Sequence, residues 1–110
     1  MRPGPLARLS RILCEALKLH LVEKVRPRVP EAGRILWNCF ADLSEGRRIG
    51  EAGPEPILLT EFAAWAALHK CPLEARHLAV IRALDRVWLD NARNPEAQPI
   101  TPEGFDAVFG

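Results

Sequence analysis

Tyrosine is absent from the 110 residues, and no serine stands in a recognisable nucleophile turn. Much of the usual equipment of acid–base and nucleophilic catalysis is missing. Cysteine occurs three times, at Cys14, Cys39 and Cys71, an odd number scattered over separate segments. This favours free buried thiols in a reducing compartment over a disulfide framework. No apolar run approaches the ~20 residues of a membrane span, because charges interrupt every candidate. A soluble chain is expected, with no membrane partner. Alternation of apolar and polar residues never persists, and only residues 56–59, PILL, suggest a short extended piece. The glycine-rich stretch EGRRIGEAGPEP, residues 45–56, lacks the Gly-Lys-Ser/Thr ending of a phosphate-binding loop and follows no convincing strand. It reads as an exposed loop.

What is present suits one small helical domain. At 48% hydrophobic and 26% charged residues, the chain has apolar matter for one core and no length for a second. The N-terminus, MRPGPLARLSRILCEALKLHL, is Arg-rich like a transit peptide. Glu15 and Lys18 break any secretory apolar core, however, so it reads as part of the mature protein. Residues 1–30 hold seven Arg/Lys against two Glu, a balance of +5, which leaves −4 for the remainder at an overall +1. The chain is therefore electrically polar, with a basic N-terminal helix.

Periodicity predicts an N-terminal helix over about residues 5–25, with Leu6, Leu9, Ile12, Leu13, Leu17, Leu21 and Val25 recurring every three or four positions. RPRVPEAG ends it. Pro30 then opens a second helix, about 31–44, with Ile35, Leu36, Trp37, Phe40 and Leu43 on its apolar face and Gly46 as its stop. Thr60 is the expected N-cap of a third helix over 61–69, with Glu61 in its first turn. A fourth and longest helix runs over 72–92, with Leu73, His77, Val80, Ile81, Leu84, Val87 and Trp88 facing inward. Residues 1–94 form the single helical domain on this reading. Residues 95–110 form a polar linker and a short C-terminal helical segment capped by Thr101, with Phe105, Val108 and Phe109 on one side. The fold class is all-α, a small single-domain bundle of about four helices.

Between the third and fourth helices, LHKCPLEARH sets Cys71 between His69 and His77. Structural zinc needs four ligands, usually in close pairs, and no second close Cys pair completes a cage. The segment reads as a helix corner with Pro72 at the first position of the fourth helix, and no metal or cofactor is expected. Asp85 near Arg82 and Asp90 near Arg86 read as ion pairs at helical spacing. The pair of helices over 60–90 also suits a DNA-binding helix-turn-helix, with Arg76, Arg82, Arg86 and Arg93 on the second helix. Glu74, Asp85 and Asp90 interleave them, and the acidic balance beyond residue 30 argues against specific nucleic-acid binding.

The strings PEAGRILWNCFADLSEGR and GPEPILLTEFAAWAALHKCPLEARHLAVIRALDRVWLDNA resemble small phage tail assembly chaperones over about residues 27–92. The resemblance implies a non-catalytic protein in the cytoplasm of a bacterial host. It implies binding to the tape-measure protein, or to another tail component, while tail-tube subunits polymerise around it. The motifs are patterns of apolar residues and prolines rather than reactive groups. Three Trp and four Phe exceed what so small a core can bury, and large aromatics anchor interfaces. Trp37, Phe40, Trp65, Trp88, Phe105 and Phe109 are the candidate partner-binding residues, with self-association through the last two an open possibility. The alternative is a small helical DNA-binding or packaging-associated protein.

Overall fold

The structure, a computed structural model, describes residues 4–93. The expected linker and C-terminal segment, with Phe105 and Phe109, lie outside the described residues. Within them the fold is all-α: α1 spans Pro5–Glu23, a 3-10 turn Glu31–Gly33 leads into α2 at Arg34–Glu45, α3 spans Leu59–Leu68 and α4 spans Ala75–Arg93. Between α2 and α3, Ile49–Gly50 (β1) and Gly53–Pro54 (β2) pair antiparallel as a minimal hairpin. The loop expected over 45–56 is thus partly ordered by backbone pairing, which its lack of apolar rhythm did not signal.

Each helix start and stop has a local cause, and several differ from expectation. α1 opens with Pro5 after Gly4, where the missing N–H is harmless. It ends two residues before the expected Val25, because Lys24 takes a left-handed conformation (φ 59°) and returns its N–H to the His20 carbonyl. The prolines that follow come after the stop and do not make it. Pro30 precedes a 3-10 turn instead of opening an α-helix, so α2 proper begins at Arg34. α3 begins at Leu59, ahead of Thr60. The Leu58 carbonyl accepts from Glu61 N–H at 3.0 Å, and the Glu61 carboxylate reaches back to Leu58 N–H at 2.9 Å. α4 begins at Ala75, three residues after the expected Pro72.

The core draws Leu13 and Leu17 from α1, Leu36, Cys39 and Phe40 from α2, Phe62 and Trp65 from α3, and Val80, Ile81 and Leu84 from α4. α1 and α4 make the most extensive helix pairing. On α2 the buried stripe contains Cys39, whereas Ile35, expected inside, is 53% exposed. On α1 the same correction applies to Ile12, which points to solvent. Gly33 lets the turn before α2 press against α1: a Cβ there would stand 2.9 Å from Leu13 Cδ2 and 3.1 Å from Leu9 Cδ1. Leu13 is fully buried and has little room to yield. Gly33→Ala is therefore expected to destabilise the protein by about 1–3 kcal/mol, read as a lowered urea midpoint with an unchanged slope.

Candidate functional site

The organising side chain is Arg47, just beyond the Gly46 that closes α2. Its Nη2 lies 2.6 Å from Asp85 Oδ1 on α4, with both side chains almost wholly buried. Nη2 also donates to Ser44 Oγ at 3.0 Å, and Nη1 donates to the Glu55 carbonyl at 2.8 Å. The guanidinium carbon sits 4.0 Å from the centroid of the Trp88 ring, a cation–π contact. The second Asp85 oxygen accepts from Ile57 N–H at 3.0 Å. One arginine and one aspartate thus tie the end of α2, the hairpin and the approach to α3 onto α4. Arg47 Nε is buried with no hydrogen-bond partner, so the arrangement is incompletely satisfied. Asp85 does not serve as the surface partner of Arg82 that helical spacing suggested. A signal was present all the same: Asp85 lies one turn from both Ile81 and Leu89 on the apolar side of α4, where a carboxylate needs a buried cation.

Beside this pair opens an apolar cleft of about 340 Å³. Leu17 and Leu21 of α1, Pro27, Trp37 and Phe40 of α2, and Trp88 of α4 line it, with His20, Ser44 and Glu45 as its polar members. His20 Nδ1 donates to the Val25 carbonyl at 2.9 Å and holds the turn after α1 beside the cleft. Trp37 and Trp88 are partly buried, whereas Phe40 is buried. The structure therefore gathers three of the six candidate partner-binding residues in one place. Trp65 is elsewhere. It is buried in the core, its Nε1 donates to Asp42 Oδ2 at 2.8 Å, and its ring stacks on His69 with centroids 4.1 Å apart. Phe105 and Phe109 lie outside the described residues.

A sequence model of the family described as phage tail assembly chaperone matches residues 18–90. The match takes in more than half of the chain, including Arg47, Asp85 and every aromatic of the cleft. This chain belongs to the phage tail assembly chaperone family. Comparison with curated proteins and with solved structures gave no match. The first part of α1 precedes the matched region.

The corner of this tail assembly chaperone accounts for its histidines without a ligand. Lys70 is left-handed (φ 54°). Cys71 N–H bonds to the Ala66 carbonyl at 2.9 Å and Lys70 N–H to that of Ala67 at 3.2 Å, the paired closure of a helix C-terminus. His77, expected on the apolar side of α4, instead caps it: its Nδ1 accepts from Glu74 N–H at 2.8 Å. Arg76, one of the arginines weighed as a DNA contact, pairs with Glu74 at 2.9 Å. Among the described residues no group of three or more His, Cys, Asp or Glu is placed to hold a metal ion. No described helix is long and apolar enough to cross a membrane.

The thiols of Cys39 and Cys14 are ill suited to nucleophilic work. Burial raises Cys39 from 9.0 to about 12, with Asp42 and Cys71 adding smaller effects in the same direction. Burial is also the largest influence on Cys14, whose value is raised despite the opposing influence of Ser10, Lys18 and Arg86. Thiolates are therefore disfavoured at neutral pH. From pH 9 upward an unfolded chain gives up the Cys39 proton while the folded chain keeps it. Stability from this residue is thus present below pH 9 and declines toward pH 12. Urea titrations across that range should show the decline, and Cys39→Ala should flatten it.

The Arg47–Asp85 pair generates a second expectation. Arg47→Ala or Asp85→Ala leaves one buried charge without its partner and should cost about 3–5 kcal/mol. Replacing both, as Arg47→Met with Asp85→Leu, should cost less than the two single alanine changes together. Urea unfolding of the four proteins measures both statements.

Proposed function

We propose that this chaperone binds the tape-measure protein by seating an apolar helical segment of it in the cleft between α1, α2 and α4. The supporting observation is the cleft itself, with Trp37 and Trp88 presenting partly buried rings within the region matched to the family. Large aromatics fixed at a shallow apolar depression are the usual anchors of helix-in-groove recognition. A volume of about 340 Å³ accommodates a few side chains of a longer segment. A tape-measure chain is long and helical, and covering its apolar stripes keeps it from aggregating until tube subunits replace the chaperone.

On this reading the role is non-catalytic and is performed in the cytoplasm of the bacterial host. Trp37 and Trp88 are the anchors and Phe40 is the floor. Trp65 drops out as a direct contact, since its ring and its N–H are engaged inside the protein. Trp37 is the better residue to test, because Trp88 also carries the Arg47 contact and its loss would disturb the fold.

Titration calorimetry with the purified tape-measure protein, or its soluble fragments, tests the proposal. Trp37→Glu is expected to weaken binding about 10-fold or more, with the circular dichroism spectrum retained and the unfolding midpoint lowered by the lost packing against the core. Leu68→Ser, at a residue 80% exposed and away from the cleft, is expected to leave binding unchanged. Undiminished affinity in a well-folded Trp37→Glu protein would sink the proposal.

A further inference from the structure

The outer side of α1 carries two apolar residues that the fold does not use. Ile12 is 44% exposed and Leu19 is 48% exposed. They are spaced by seven, so at about 100° per residue they lie within roughly 20° of each other, while the buried Leu17 lies roughly 140–160° away. Arg8, Glu15 and Glu23 share this outer side and are exposed. Among the described residues no ion pair engages any of the three. The face is distinct from the cleft, which takes Leu17, His20 and Leu21 from the other side of the same helix.

We propose that this face binds the same face of a second copy of the chain, with the two α1 helices antiparallel about a twofold axis between Glu15 and Ala16. The order of charges along the helix selects this arrangement. About such an axis Arg8 of one copy meets Glu23 of the other, and Ile12 meets Leu19, each contact occurring twice. Glu15 falls opposite Ala16, so the two Glu15 residues meet near the axis, a like-charge contact that this arrangement retains, with Lys18 of the second copy two residues away. A parallel pairing would instead set Arg8 on Arg8, Glu15 on Glu15 and Glu23 on Glu23, which like-charge repulsion opposes. The contact is isologous, as closed dimers require. A seam along one helix of 19 residues, about 28 Å long, is small for a stable interface. The dimer is accordingly weak and reversible, dissociating at low micromolar concentration. Half of the seam, including Arg8 and Ile12, precedes the region matched to the family, so this surface belongs in part to the segment that the family pattern does not cover. The inference stands apart from the proposed function, since neither face needs the other.

Sedimentation velocity on the full chain from about 10 µM to 1 mM provides the test, with circular dichroism confirming helix content for each variant. The wild type is expected to show a concentration-dependent monomer–dimer exchange. Leu19→Asp is expected to raise the dissociation constant at least tenfold. Arg8→Glu should weaken the dimer, and Arg8→Glu combined with Glu23→Arg should restore it. A chain that stays monomeric to 1 mM overturns the proposal, as does a dimer indifferent to Leu19→Asp. Failure of the charge swap to restore association overturns the antiparallel register. A dimer abolished by Phe105→Ala with Phe109→Ala but not by Leu19→Asp would place self-association in the C-terminal segment and overturn it as well.

Discussion

Everything between α2 and α3 depends on one buried ion pair. Gly46 closes α2, and the chain then crosses to α3 through a hairpin of only two residues on each side, far too short to stand alone in water. Arg47 and Asp85 hold this crossing. The arginine reaches α2 through Ser44, the far side of the hairpin through the Glu55 carbonyl, and α4 through the carboxylate. The aspartate, in turn, holds the backbone at Ile57. Desolvating two such charges costs several kcal/mol each, and their attraction roughly offsets that cost rather than greatly exceeding it. The pair is better understood as fixing where the crossing lies than as a source of stability. Its consequence for the cleft is direct, because the guanidinium covers one face of Trp88, which lines the cleft together with Trp37 and Phe40.

The aromatic residues divide by the polar atoms available to them. Trp65 is buried because Asp42 lies within reach of its indole N–H, which otherwise could not be taken out of water without penalty. Phe62 and Phe40 have no such requirement and fill the core. Trp37 and Trp88 remain at intermediate exposure. An excess of large aromatics over core volume, visible in composition, is thus resolved by one hydrogen bond that admits a tryptophan and by a cleft that keeps two at the edge.

Helix count and fold class were legible because the apolar period of 3.6 is strong in α1, α2 and α4, though weak in α3, which is apolar nearly all round, and because prolines and glycines separate the segments. The boundaries were less legible, for reasons that differ by site. Lys24 and Lys70 adopt left-handed conformations that lysine seldom takes, so nothing in the residue type announces the ends of α1 and α3. Thr60 is a good cap by type, yet the Leu58 carbonyl and the Glu61 side chain complete the turn first. Pro72 is a good opening residue, but the Glu74 and His77 pairing begins α4 later. Of the site, the aromatic set could be read from the sequence and its division could not, since the division follows from long-range contacts. The partner of Asp85 was hidden for the same reason: helical spacing offers Arg82, whereas burial demands an arginine from a distant loop.

A chaperone for a structure under assembly has to let go, and the dimensions of the cleft bear on that. Trp37 and Trp88 each retain at most about a third of their surface in solvent, together on the order of 100 Å² of apolar area, so covering them yields about 3 kcal/mol. Association itself costs about 4–15 kcal/mol in lost freedom of motion. The cleft alone therefore supports contact but not tight capture. Tighter hold requires either additional contacts along a long partner or several chaperones acting on one chain. On the proposed reading a long helical partner with repeated apolar stripes would supply both, and each contact would remain weak enough to be displaced singly. On the proposed reading, incomplete burial of the two tryptophans is then a functional compromise: deeper burial would leave no surface to bind with, and fuller exposure would favour self-aggregation before the partner arrives.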